Sequence, residues 1–162
     1  MADKPEVDVW ESLRFFLGSW AGTCTGKSGD GRVERKYRLI LKDRYIHVTG
    51  RTVFEPQERN PDGEVHEELG FWSFDRERAV HIYREFLVEG FVSRYVLDPP
   101  GPDGRRLVLT TEAIENLPAG WQARTTFELL DEDRIRETFE LNQGSGAWDC
   151  YFATEMRRVS DA

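Results

Sequence analysis

An all-β domain, an antiparallel up-and-down barrel of about ten strands with one short N-terminal helix, is what this sequence predicts. Three observations carry the prediction. From Trp20 onward the hydrophobic period is two, the spacing that puts alternate side chains on one face of a strand. Turn chemistry recurs at short intervals, at 27–31, 42–44, 60–63, 75–78, 99–104, 117–120, 131–133 and 143–146, as in a meander and not in a βαβ fold. The chain has 162 residues, 39% of them hydrophobic and 12% aromatic, which is enough to bury one core and too little for two comfortable ones. A long half-buried meander leaves edges that invite aggregation, so its strands are expected to close into a barrel over residues 19–159.

The elements follow in order. Residues 7–17 place Val9, Leu13, Phe16 and Leu17 on one stripe of a short helix, which Gly18 stops. This helix is expected to plug one end of the barrel. A two-residue turn at Asp43 and Arg44 puts Val33, Tyr37, Leu39 and Leu41 on one face with Ile46, Val48, Thr52 and Phe54. A turn at Arg76 and Glu77 puts Leu69 and Phe71 with Val80, Ile82 and Phe86, and a tight turn at Val88 and Glu89 adds Phe91, Ser93, Tyr95 and Leu97. In the last third, Trp121, Ala123, Phe127 and Leu129 join Ile135, Phe139 and Leu141, then Trp148, Cys150, Phe152, Thr154 and Met156. Closure pairs the first strand with the last, with Trp20 opposite Met156 and Arg158 over the indole. The glycines at 22 and 26 lie inside a strand with no helix following, so they read as a bend and not as a phosphate loop.

Composition narrows the function. A net charge of −8 lacks the positive field that nucleic acid or an anionic membrane surface requires, so neither is an expected partner. Met1 to Asp8 is polar, and no run approaches the ~20 apolar residues of a membrane span, so a cytoplasmic location is expected. Cys24 and Cys150 lack CxxC spacing and are expected to be two buried thiols, with no metal site. The outward residues Tyr83, Val92 and Val96 form an apolar patch, which fits a monomer or a homodimer.

The segment Leu17-Gly18-Ser19-Trp20-Ala21-Gly22-Thr23 resembles the LGxWxG opening of nitrobindin-like and fatty-acid-binding-protein-like calycins. Chain length and the meander agree with that likeness over nearly the whole sequence. The residues 60–68, Glu89-Gly90-Phe91 and 112–116 resemble an uncharacterised bacterial branch near that superfamily. The resemblance implies a calycin, lipocalin-like barrel that holds a small ligand. Nitrobindins hold haem through a histidine near the C-terminus, whereas the histidines here are His47, His66 and His81, all expected to face outward. No cofactor is therefore expected. Haem, with Tyr or Cys as ligand, stands as the alternative.

The informative residues are polar ones in the phase that should be dry, because an unpaired charge there costs several kcal/mol. Arg84 falls between Ile82 and Phe86, opposite Ser93, with Tyr95 two residues on; Glu137 falls between Ile135 and Phe139, and Tyr37 shares the core phase. Arg84, Tyr95, Tyr37, Ser93 and Glu137 are thus the expected ligand-binding residues, with Phe139 and Trp148 among the aromatic walls. The expected ligand is small, hydrophobic or amphipathic, anionic ones included, and resembles in role the acid gripped by Arg and Tyr in fatty-acid-binding barrels. The plainer alternative is an internal ion pair of Arg84 with Glu137 or Glu67. His66, Glu68, His81 and Glu85 are expected on one outer face, too far apart along the ladder to share a metal ion. No nucleophile elbow, HExxH or phosphate loop is present, so binding without catalysis is expected. An isomerase or cyclase using a buried Glu137 beside Tyr95 is the enzymatic alternative. The loops at 55–64 and 98–105 are candidate lids.

Overall fold

Ten strands follow a 3₁₀ helix in the computed structural model, which describes residues 7–160. The strands are β1 (Gly18–Gly26), β2 (Gly29–Ile40), β3 (Tyr45–Phe54), β4 (Glu64–Asp75), β5 (Val80–Leu87), β6 (Val92–Leu97), β7 (Arg106–Glu115), β8 (Gln122–Asp131), β9 (Arg134–Asn142) and β10 (Asp149–Val159). Each pairs antiparallel with the next, and β10 returns to β1, so the predicted barrel closes. Closure leaves no free edge. Among the described residues no helix is long and apolar enough to cross a membrane. The part of the N-terminal reading that falls on residues 1–6 lies outside the described residues.

The Leu17–Thr23 segment builds the seam and the plug together. Gly18, at φ +115°, turns the chain from the helix into β1. The indole Nε1 of Trp20 donates to the Phe16 carbonyl at 2.7 Å, and Arg158, paired with Trp20 across the seam, lies 4.5 Å from the Trp20 ring. Its Nη1 and Nη2 donate to the carbonyls of Leu17 and Phe15 at 2.7 and 2.8 Å, satisfying the end of the helix. Arg158 thus lies over the indole as expected, with Gly22 and not Trp20 opposite Met156. At Gly22 the reason for glycine is space and not bending: a Cβ would overlap the Glu155 carbonyl of β10. Gly22→Ala is expected to force the seam apart at a cost on the order of 3 kcal/mol, read as a lowered urea midpoint.

The plug is shorter than predicted. It is a 3₁₀ helix over Glu11–Phe16 in place of a helix over 7–17, with Trp10, Leu13 and Phe16 buried and Val7 exposed. Trp10 donates Nε1 to the Asp43 carbonyl in the β2–β3 turn, and Phe16 packs on Tyr37 and Phe127. That end of the barrel is therefore stoppered.

Register departs from expectation at several turns and in β10, and the turn expected at Arg76 and Glu77 takes four residues, 76–79. The β2–β3 turn takes four residues, 41–44, with Leu41, Lys42 and Asp43 at positive φ, so Leu41 is 69% exposed and not in the core. The β5–β6 turn is also longer than two residues and pairs Glu85 with Ser93 and Tyr83 with Tyr95. With Ile46 opposite Trp72 on the β3 side, β4 and β5 turn over: Trp72, Glu68, Tyr83 and Glu85 face in, while Leu69, Phe71, Arg84 and Phe86 face out. A bulge between Cys150 and Phe152 throws Cys150 and Trp148 off the inner face, so Cys24 is buried and Cys150 exposed. Val65, Leu69 and Phe86 are exposed apolar residues on the outer side of β4 and β5, with Val88 in the turn that follows, in place of the patch expected to include Tyr83.

Candidate functional site

Arg35 is the cation inside the barrel. It alternates inward with Val33 and Tyr37 along β2, on buried positions separated by exposed ones. Its Nη1 donates to Glu137 Oε2 at 2.6 Å and to the Tyr37 hydroxyl at 3.5 Å. Its Nε lies 2.8 Å from Glu68 Oε1 but is not aligned with it, which leaves a buried side-chain donor without a hydrogen-bond partner. Between Arg35 and Glu68 runs β3, where Gly50 sits opposite both; a Cβ there would meet the Glu68 carboxylate. Glu85, one step along the sheet, hydrogen-bonds Glu68 and accepts from the Tyr95 hydroxyl at 3.4 Å. Arg35, Tyr37, Glu68, Glu85 and Glu137, with Trp72, Tyr83 and Thr125, border a void of ≈ 20 Å³, about the space of one water.

Three carboxyl groups thus meet one guanidinium, and their protonation reflects that imbalance. Burial raises the Glu85 pKa well above the ordinary carboxylate range, and the charges of Glu68 and Glu137 add to it. Burial raises Glu137 as well, although Arg35 opposes the shift. On Arg35 burial works against the charge, but Glu137 and Glu68 outweigh it and its pKa is raised. The hydroxyls of Tyr37, Tyr83 and Tyr95 are all pushed up, foremost by burial, and stay protonated donors. The neutral form of Glu85 is therefore the favoured one, as for a carboxylic acid kept in an apolar site.

Away from the plug the side chains become more exposed. Side-chain exposure rises from 7% at Arg35 to 11% at Glu68, 24% at His66 and 40% at Glu89. His66 Nδ1 lies 2.6 Å from Glu89 Oε1, and its Nε2 lies 4.0 Å from Glu68. Phe139 and Phe152, half-buried and stacked at 4.9 Å between centroids, share the inner face.

The structure brings together Tyr37, Tyr95, Ser93 and Glu137 on the inner face, with Phe139 beyond them, as expected. It does not bring Arg84 or Trp148 there. Arg84 is exposed on the outer face and donates to Ser73 Oγ at 3.1 Å; Trp148 stacks under Arg124, 4.3 Å away, on the outer side of β8. The internal ion pair exists, but Arg35 and not Arg84 is the partner of Glu137. Of the histidines only His47 faces out, stacked on Phe71. His66 and His81 fall on the inner phase at opposite ends, and His81 is held under the plug by the Val9 carbonyl, Trp10 and Phe74. Glu68 and Glu85, expected outside, line the void. No cluster that could hold a metal is found among the described residues. The void, at ≈ 20 Å³, is far smaller than the about 300–1,000 Å³ of cofactor pockets.

The fold and site define a closed ten-stranded antiparallel barrel, stoppered at one end, with an ionic cluster in its interior. Its backbone is similar to the crystal structure of Rv2717c from M. tuberculosis, with a TM-score of 0.65 and 16% identity over 94% of this chain and 98% of that one. A designed fluorescence-activating β-barrel matches with a TM-score of 0.45 and 13% identity over 91% of this chain and 97% of that one. A structure described as EF1p2_mFAP2b bound to DFHBI matches with a TM-score of 0.48 and 8% identity over 91% and 97%. No family model matches the chain, and no curated protein matches it.

Proposed function

We propose that the barrel binds a small amphipathic ligand from its unplugged end, with the polar head at the Arg35 cluster and the apolar part against Phe139 and Phe152. The observation that supports this reading is the void beside a buried guanidinium donor that has no hydrogen-bond partner. Buried polar groups in proteins are nearly always satisfied, and the exceptions ask for a functional explanation. The gradient of exposure through Glu68 and His66 supplies the direction of entry. Binding is tested with three five-carbon probes, 1-pentanol, pentylamine and pentanoate, read through Trp72, which borders the void, as a difference from Trp72→Phe. A saturable response to at least one probe is expected, and Thr125→Leu, which fills the void, is expected to abolish it. No response to any of the three overturns the reading.

A second reading, proton transfer by a lipocalin-fold enzyme, is favoured by the Glu85–Glu68 carboxyl pair. Glu137 is then not the base, because its carboxylate is committed to Arg35 at 2.6 Å. In that case Glu85→Gln abolishes turnover of a bound substrate and leaves its binding intact.

A further inference from the structure

The dimensions and donor pattern of the void say more about the head group than that it is polar. The space is ≈ 20 Å³, bordered by Arg35, Glu68, Glu85, Glu137, Tyr37 and Tyr83. One non-hydrogen atom fills such a space. The Arg35 side chain is only 7% exposed, and its Nε–H has no aligned acceptor, so the incoming atom must offer a lone pair. Around it stand three carboxyl groups, so the same atom does best if it also offers a hydrogen.

We infer that the barrel selects an uncharged hydroxyl head group, the alcohol oxygen accepting from Arg35 Nε–H and donating to a carboxylate oxygen of the cluster. This rests on the interior-binding reading and names its ligand class. A carboxylate or phosphate head brings several oxygens into a one-atom space, and brings negative charge beside Glu68, Glu85 and Glu137. An ammonium head has no lone pair for the guanidinium N–H and sets a cation beside a cation. A hydroxyl satisfies both demands with one atom.

The three probes separate these cases, and pentyl methyl ether, an acceptor with no hydrogen to donate, adds a fourth. 1-Pentanol is expected to bind at least tenfold more tightly than pentylamine, pentanoate or the ether. Arg35→Lys keeps the positive charge but removes Nε, and is expected to reduce the preference for 1-pentanol over the ether to less than threefold. The probe ranking on the unaltered protein stands without that variant should it fail to fold. Tighter binding of pentylamine, or equal binding of all four probes, overturns the hydroxyl inference and leaves interior binding standing. Silence from every probe overturns both.

Discussion

Arg35→Leu is expected to destabilise the protein by about 3–5 kcal/mol at pH 7, the cost of removing one partner from a buried, hydrogen-bonded charge pair. The guanidinium is the only cation among the groups bordering the void, and the ion pairs to Glu137 at 2.6 Å and Glu68 at 2.8 Å are both well buried. Its loss leaves carboxylates in low dielectric with neither counter-charge nor water. The carboxyls can then escape the penalty only by taking up protons, so the deficit should shrink between pH 7 and pH 5. Adding Glu68→Gln and Glu137→Gln to Arg35→Leu should recover most of the loss, because the uncompensated charge and not the shape is what costs. Urea denaturation of the variants at both pH values measures this. A deficit under about 1 kcal/mol, or one that does not change with pH, would mean that the cluster is solvated and is not the core of the site.

How far this cluster was legible in the sequence depended on the strand. Along β9, and along β2 as far as Leu39, only one parity is apolar, so Tyr37 and Glu137 could be placed inward from alternation alone. Arg35 lies on the same parity, between Val33 and Tyr37, and that spacing was the signal that identifies it. Along β4 no such signal exists. Leu69 and Phe71 make one parity apolar, Trp72 and Phe74 the other, and only the pairing of Trp72 with Ile46 decides between them. Glu68 and Glu85 were hidden by that ambiguity, and Arg84 was promoted by it. The β5–β6 turn is one residue out of the expected register, which exchanges inner and outer faces, so the error stopped at β5 and Ser93 and Tyr95 face in as expected. Trp148 was misplaced by a bulge in β10, an irregularity that a strict period of two cannot foresee. The closed meander, by contrast, rests on many turns at once and survives an error of two residues at any of them.

Glu85→Gln is expected to reverse the pH dependence that this carboxyl imposes. In the folded protein burial, and then the charges of Glu68 and Glu137, raise its pKa well above the ordinary value. An acid whose folded pKa lies above its unfolded one contributes stability that is fully present below the unfolded value, about 4.3. That contribution is lost as pH rises from there through the folded pKa. Within that window the slope approaches 1.4 kcal/mol per pH unit. Glu137, also raised, acts in the same direction. The exposed carboxyls of Asp131 and Glu112, lowered foremost by hydrogen bonds from Arg134 and Arg78, have the opposite sign: what they contribute is present at higher pH and lost as pH falls. Stability of the wild type should therefore peak at mildly acidic pH and decline toward pH 8. Glutamine keeps the size and hydrogen-bonding capacity of Glu85 but cannot ionise, so the variant should decline less and become the more stable of the two at pH 8. Urea midpoints at pH 5, 6, 7 and 8 compare them, and parallel profiles would show that Glu85 does not hold its proton in the folded barrel. With the proton held, Glu85 carries no charge into the cluster, beside the one Arg35 N–H that lacks an aligned acceptor. The hydroxyl selectivity proposed above accordingly turns on hydrogen bonding in one atom's space and not on net charge.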